Sequence, residues 1–211
     1  MRPIASLVLL LLAAVCPLFA QENTLEQEAS PWTDGWIKGA GFRFGGELPG
    51  EVLEDHMYLT SLQLELIRPF RIREEGWLEK IDFVNFLNIG FTASPAIKPV
   101  VGGGGSFRFH FDPLDFKPFK RTTVFLEVGG GMNYFTAHKS VDRITGAFQF
   151  AAVAGAGVTY YSRRFPNRAF VIGYAIRHHS NLSSLLPTPK PNQGVNTHEI
   201  YLEIQSLPKK K

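Results

Sequence analysis

Cysteine is almost absent from this sequence of 211 residues: there is one, Cys16, and it lies close to the amino terminus. A disulfide framework within one chain is therefore excluded, and any stability outside the cell has to come from another source. Long hydrophobic runs are missing too. The most apolar stretch, Leu7 to Val15, falls short of the roughly 18 to 20 residues that a spanning helix needs. An excess of charge of one sign is also lacking. The 22 basic and 19 acidic residues leave a formal charge of +3, and three of the positives are the terminal Lys209, Lys210 and Lys211. Such a balance offers no footprint for nucleic acid. Helical apolar spacing is nowhere sustained, and there are no internal repeats or low-complexity tracts.

The first twenty residues read as a secretory signal peptide. Arg2 supplies the positive start, Leu7 to Val15 the apolar segment, and Ala20 a small residue at the cleavage position. Cys16 leaves with it, and the exported chain keeps 21 basic and 19 acidic residues. Residues 21–33 are polar or acidic at first and form a mobile lead-in. A single β domain is expected over 34–206, followed by a basic tail, 207–211.

From Trp32 onward, short segments of alternating apolar residues are punctuated by Gly, Pro, Asn and Asp. Eight are predicted as strands, near 35–46, 57–68, 82–93, 100–112, 122–136, 146–162, 168–180 and 196–206. Strand side chains alternate between faces, so each face can be read as a set. Leu62, Leu64 and Leu66 oppose Ser61, Gln63 and Glu65. Phe107, Phe109 and Phe111 oppose Ser106, Arg108 and His110. Phe170, Ile172, Tyr174 and Ile176 oppose Val171, Gly173, Ala175 and Arg177. One face is bulky and apolar, the other small or polar.

Two closed barrels share that pattern: a soluble one with the apolar face inward and a membrane one with it toward lipid. Glycine, arginine and glutamate opposite Phe and Leu fit a narrow polar lumen within a lipid-facing wall. The expectation is an all-β, eight-stranded, antiparallel up-and-down transmembrane β-barrel. Gly102 to Gly105 and Gly129 to Gly131 are read as sites of close strand packing, because neither run opens a helix or carries a phosphate-loop lysine.

Chemistry concentrates late in the chain, in Arg177-His178-His179-Ser180-Asn181. His178 and Ser180 are two apart on the seventh strand and share the apolar face. A histidine and a hydroxyl are costly on a lipid-facing row, and together they are the parts of a nucleophile with its base. His178 and His198 also share a face. A metal site needs a third ligand at suitable spacing, and none is evident, so no metal or cofactor is expected. Ser183 and Ser184 lack a histidine at strand spacing and are read as loop residues.

The segment 177–181, followed by Pro191-Asn192-Gln193-Gly194-Val195-Asn196, resembles the end of the outer-membrane lipid A 3-O-deacylases and related acyloxyacyl-hydrolase-like proteins, which carry a His-x-Ser-Asn element and then a Pro-Asn-x-Gly turn. The resemblance covers about twenty residues closely; the six upstream strands agree in pattern. It implies a bacterial outer-membrane barrel that hydrolyses the ester at the 3-position of lipid A in lipopolysaccharide. Ser180 is then the nucleophile, His178 the general base, and Asn181 a contributor to the oxyanion hole. Where the family places a glutamate to orient the histidine, this chain has Asn196. An amide oxygen can still accept from imidazole, but it brings no negative charge. Alternation turns Glu199 to the opposite face. The alternative is a non-catalytic outer-membrane barrel that retains the hydrolase skeleton for a structural or lipid-binding role.

Arg177 and Lys190 lie close to the motif, placed either for lipid A phosphates or in an ordinary polar rim. Trp32, Trp36, Trp77, Tyr58, Tyr160 and Tyr161 fall near strand ends, as an interfacial aromatic girdle or as core.

Overall fold

A computed structural model describes residues 35–47, 57–71, 78–94, 97–111, 121–136, 147–180 and 194–208. The signal segment, the lead-in, Asn181, Ser183, Ser184, Lys190, Trp32, Trp77 and the final lysines lie outside the described residues. Eight strands follow one another: β1 Ile37–Gly46, β2 Tyr58–Arg71, β3 Leu78–Ser94, β4 Lys98–Phe111, β5 Thr122–Phe135, β6 Phe148–Tyr161, β7 Arg168–Ser180 and β8 Val195–Ser206. Each pairs antiparallel with its sequence neighbour, and β1 pairs with β8 from Lys38↔Ser206 to Gly46↔His198, so the sheet closes without an edge. Closure matters in lipid, where no water can satisfy an unpaired strand edge.

β3 begins four residues earlier than its predicted start at 82. Lys80 interrupts the apolar pattern in the sequence, yet its side chain is buried inside the barrel, where its ammonium lies 2.7 Å from Asp82 Oδ2. A register shift between Leu78 and Lys80 against β4 further hides the periodicity.

The question of which face points inward is answered by burial. Phe42, Phe44, Phe70, Leu126, Phe148 and Ile204 are about half exposed or more, whereas Arg43, Glu65, Arg108, Glu127, Arg177, Glu199 and Glu203 are nearly fully enclosed. A bulky apolar outer wall around an ionic interior is the arrangement of a barrel that sits in lipid. Trp36 and Tyr58 are exposed at opposite ends of the wall, in girdle positions. Of the two positions expected for Tyr161, girdle or core, it takes the core. Its side chain faces inward and packs with Ile37, Ile67, Val84 and Ala169, because odd positions of β6 point to the lumen.

Arg108 on β4 organises the interior. Its Nη2 donates to Glu65 Oε1 and Glu203 Oε2, both at 2.8 Å, and Nη1 donates to the other oxygens of the same carboxylates at 3.2 and 3.0 Å. Nε donates to Glu127 Oε2 at 3.3 Å. Ser106 and Tyr201 hydroxyls donate to Glu127 at 2.6 and 3.0 Å. One guanidinium thus ties β2, β5 and β8 across the lumen. Further along, Glu199 lies 3.6 Å from Arg43 and 3.3 Å from Arg177. The lumen glycines leave room for these groups: a Cβ on Gly41 would stand 2.6 Å from Glu203 Cγ, and one on Gly173 would strike the Tyr201 ring.

Breaking a buried ionic cluster by removing one partner costs about 3–5 kcal/mol, because the remaining charges stay enclosed and uncompensated. Arg108→Leu leaves three carboxylates in that position. Its unfolding midpoint in urea, followed by the gel-mobility difference between heated and unheated barrel, should fall accordingly. An unchanged midpoint would show that the network contributes nothing to stability.

Candidate active site

The connections at the end of the barrel where β7 finishes run to 11, 3, 12 and 14 residues, against 6, 10 and 6 at the end holding both termini of the barrel. Longer connections mark the outer surface of such barrels and short ones the periplasmic side. The His178 end is therefore the external one.

β7 and β8 pair with His178 opposite Asn196, Ile176 opposite His198 and Tyr174 opposite Ile200. Strand alternation sends His178, Ser180 and Asn196 to the outer wall, while His179, Thr197 and Glu199 turn inward and are buried. His178 Nδ1 and Asn196 Oδ1 are 2.8 Å apart. Since an amide oxygen can only accept, Nδ1 carries the proton and donates it, which leaves Nε2 as the basic nitrogen. That is the tautomer a general base requires.

Gly194 shapes the other side of the imidazole. Its φ is +76°, a conformation that glycine adopts without the penalty a Cβ brings. A Cβ there would also lie 2.5 Å from His178 Cε1 and 2.9 Å from Nε2. The glycine that ends the Pro-Asn-Gln-Gly segment thus lies against the Cε1–Nε2 edge of the ring. Sequence reading marked this residue as part of a turn and missed its contact, which depends on where the connection from β7 returns.

Ser180 stands at the end of β7, opposite Phe150 of β6, one outward row beyond His178. On the next strand Ala152 is the cross-strand partner of His178, and Ala154 that of Ile176. These small side chains leave the lipid-facing surface beside His178 low, between Val128 of β5 and Ile176 of β7.

His198 is engaged by Tyr174, whose hydroxyl is hydrogen-bonded to its Nδ1. His110 likewise has an interior partner, Asp82, with Nε2 at 2.9 Å from the carboxylate. Arg177 corrects one expectation. It points into the lumen and pairs with Glu199, because odd positions of β7 face inward, so it is not available to phosphates outside. Glu199, engaged by Arg43, Arg177 and the Thr197 hydroxyl, is turned away from His178.

A family model described as lipid A 3-O-deacylase (PagL) matches residues 71–205. Among solved structures, the chain is similar to the crystal structure of the outer membrane enzyme PagL, with 16% identity, 82% of this chain and 99% of that chain covered, and a TM-score of 0.54. It is also similar to the crystal structure of Neisserial surface protein A, with 12% identity, 81% and 96% covered, and a TM-score of 0.49. No curated protein matches it in sequence.

Gly194→Ala should displace the His178 ring without unfolding the barrel. If the ring acts as a general base, its misplacement by about 1 Å costs on the order of 10² in rate, so any ester hydrolysis it supports should fall by that order while the heated-against-unheated gel shift stays normal. Full activity in Gly194→Ala would show that the ring is not seated by this glycine.

Proposed function

The chain belongs to the lipid A 3-O-deacylase (PagL) family, and on that premise we propose that it is an outer-membrane ester hydrolase that removes the 3-O-linked acyl chain from lipid A. The observation that carries this reading is the His178–Asn196 hydrogen bond on the lipid-facing wall, which leaves Nε2 basic on the surface where an acyl chain arrives.

In the proposed reaction, His178 Nε2 takes the proton of Ser180 Oγ as that oxygen adds to the ester carbonyl carbon. The tetrahedral oxyanion is stabilised with help from Asn181. Collapse breaks the bond to the sugar 3-oxygen, which leaves with the proton held by His178. A water molecule, deprotonated in turn by His178, then hydrolyses the acyl-enzyme and releases the fatty acid and free Ser180. No metal or cofactor enters these steps.

Asn196 performs half the work of a triad acid. It holds the imidazole's tautomer and direction, but it does not offset the positive charge that builds on His178 when the serine proton is transferred. This missing charge also favours a second reading, an outer-membrane barrel that binds lipid A without turning it over efficiently.

Mass spectrometry of lipid A from outer membranes carrying the protein should show loss of one 3-hydroxyacyl group, and Ser180→Ala should abolish it. Unmodified lipid A in the presence of the unaltered chain would overturn the hydrolase reading in favour of the binding one. Asn196→Glu restores a carboxylate beside Nδ1 and should raise turnover, by about tenfold or more given the size of charge effects at triads. No gain in a folded Asn196→Glu protein would mean that the imidazolium is stabilised elsewhere.

A further inference from the structure

The outer surface of β7, β8 and β1 can be followed row by row through the cross-strand partners. Below the His178–Asn196 row come Ile176–His198–Gly46, then Tyr174–Ile200–Phe44, Ile172–Leu202–Phe42 and Phe170–Ile204–Ala40. The last row is Arg168–Ser206–Lys38. Both Arg168 and Lys38 are exposed, and the hydroxyl-bearing Ser206 lies between them on the central strand. No acidic residue occupies an outward position on these three strands among the described residues.

We propose that Arg168, Ser206 and Lys38 form a headgroup site for an anionic phospholipid of the periplasmic leaflet, and that this site sets the depth of the barrel and so the height of the His178 row. Three features support a lipid occupant. First, the cationic row ends an otherwise apolar wall, so a bound phosphate has its acyl chains beside Phe170, Ile204 and Ala40. Second, Arg68 of β2 lies 5.7 Å from the ring of the exposed Trp36, which precedes β1; this continues the rim with the aromatic and basic pair typical of a membrane interface. Third, the spacing fits. Ten residues separate Arg168 from His178 and Ser206 from Asn196, which is about 34 Å along a strand at 3.4 Å per residue. At a strand tilt of about 40° that becomes about 26 Å across the membrane, close to the apolar band of about 25 Å that such barrels present.

The two polar rows therefore bracket one hydrocarbon thickness. Two cations and a hydroxyl can converge on phosphate oxygens by charge-assisted hydrogen bonds, and basic groups near an anionic leaflet each strengthen attachment appreciably. The depth-setting role rests on the deacylase reading, since only that reading gives the height of His178 a consequence; the lipid site itself does not.

The test compares the full exported chain with its Lys38→Gln/Arg168→Gln form, by native mass spectrometry from detergent containing dioleoylphosphatidylglycerol, dioleoylphosphatidylcholine or inorganic phosphate. The unaltered chain should retain phosphatidylglycerol in preference to phosphatidylcholine, and the double variant should lose that retention on the order of tenfold. Equal retention by both forms overturns the proposal. Capture of inorganic phosphate with no preference for the lipid overturns its lipid part. Ser206→Ala, with both cations intact, guards against a folding defect in the double variant: it should weaken retention in a barrel of normal gel mobility, and unaltered retention removes Ser206 from the site. Lipid A hydrolysis by the double variant should slow in phosphatidylglycerol bilayers and remain normal in detergent; equal rates in both settings overturn the depth role. If the unaltered chain hydrolyses no lipid A in either setting, the deacylase reading fails while the retention measurement still decides the lipid site.

Discussion

The guanidinium of Arg108, held between Glu65 and Glu203 with Glu127 at its Nε, is the interaction around which the rest of the barrel is arranged. A lumen this narrow has room for charges only if they neutralise one another and if the facing positions are small. The inward glycines on β1 and β7 meet the second condition, and Arg43 and Arg177 around Glu199 repeat the first. With the interior filled by ionic groups, the large apolar side chains have one place left, the outer wall. The membrane-facing character of the protein thus follows from the chemistry of its inside.

That inversion also decides where chemistry can occur. Among the described residues the lumen is occupied by enclosed ionic groups, whereas the outer wall presents the large apolar side chains that suit acyl chains. His178 and Asn196 are placed there by the same alternation that encloses His179 and Glu199 on the other side of the same strands. A polar pair on an apolar wall is costly in lipid, and it is found at the external end, where the hydrocarbon gives way to headgroups. The Arg168–Ser206–Lys38 row at the other end obeys the same economy of position, and between the two the wall is dominated by apolar side chains, interrupted by the Tyr174–His198 pair.

The strand pattern was legible because each strand keeps its period of two through most of its length. It failed where polar residues sit in the lumen near a strand end, as at Lys80, since an inward ionic pair and a register shift look like the end of a strand when read along one chain. Girdle and core were both open for Tyr161, and parity along β6 decides for the core; for Arg177 the motif suggested an outer or rim position, although parity along β7 had already set it on the polar face.

The sequence by itself determined eight strands with one bulky apolar face and one polar face, and that His178 and Ser180 share a face, because alternation is a local property of extended backbone; the family resemblance added Asn196 as their partner. The tertiary structure bore out the lipid-facing reading of that face, and it alone decided that His178 stands directly across from Asn196 at hydrogen-bonding distance and that Gly194 backs the ring. Those depend on barrel closure and on the cross-strand register of β7 and β8, which are set by contacts between residues far apart in the chain.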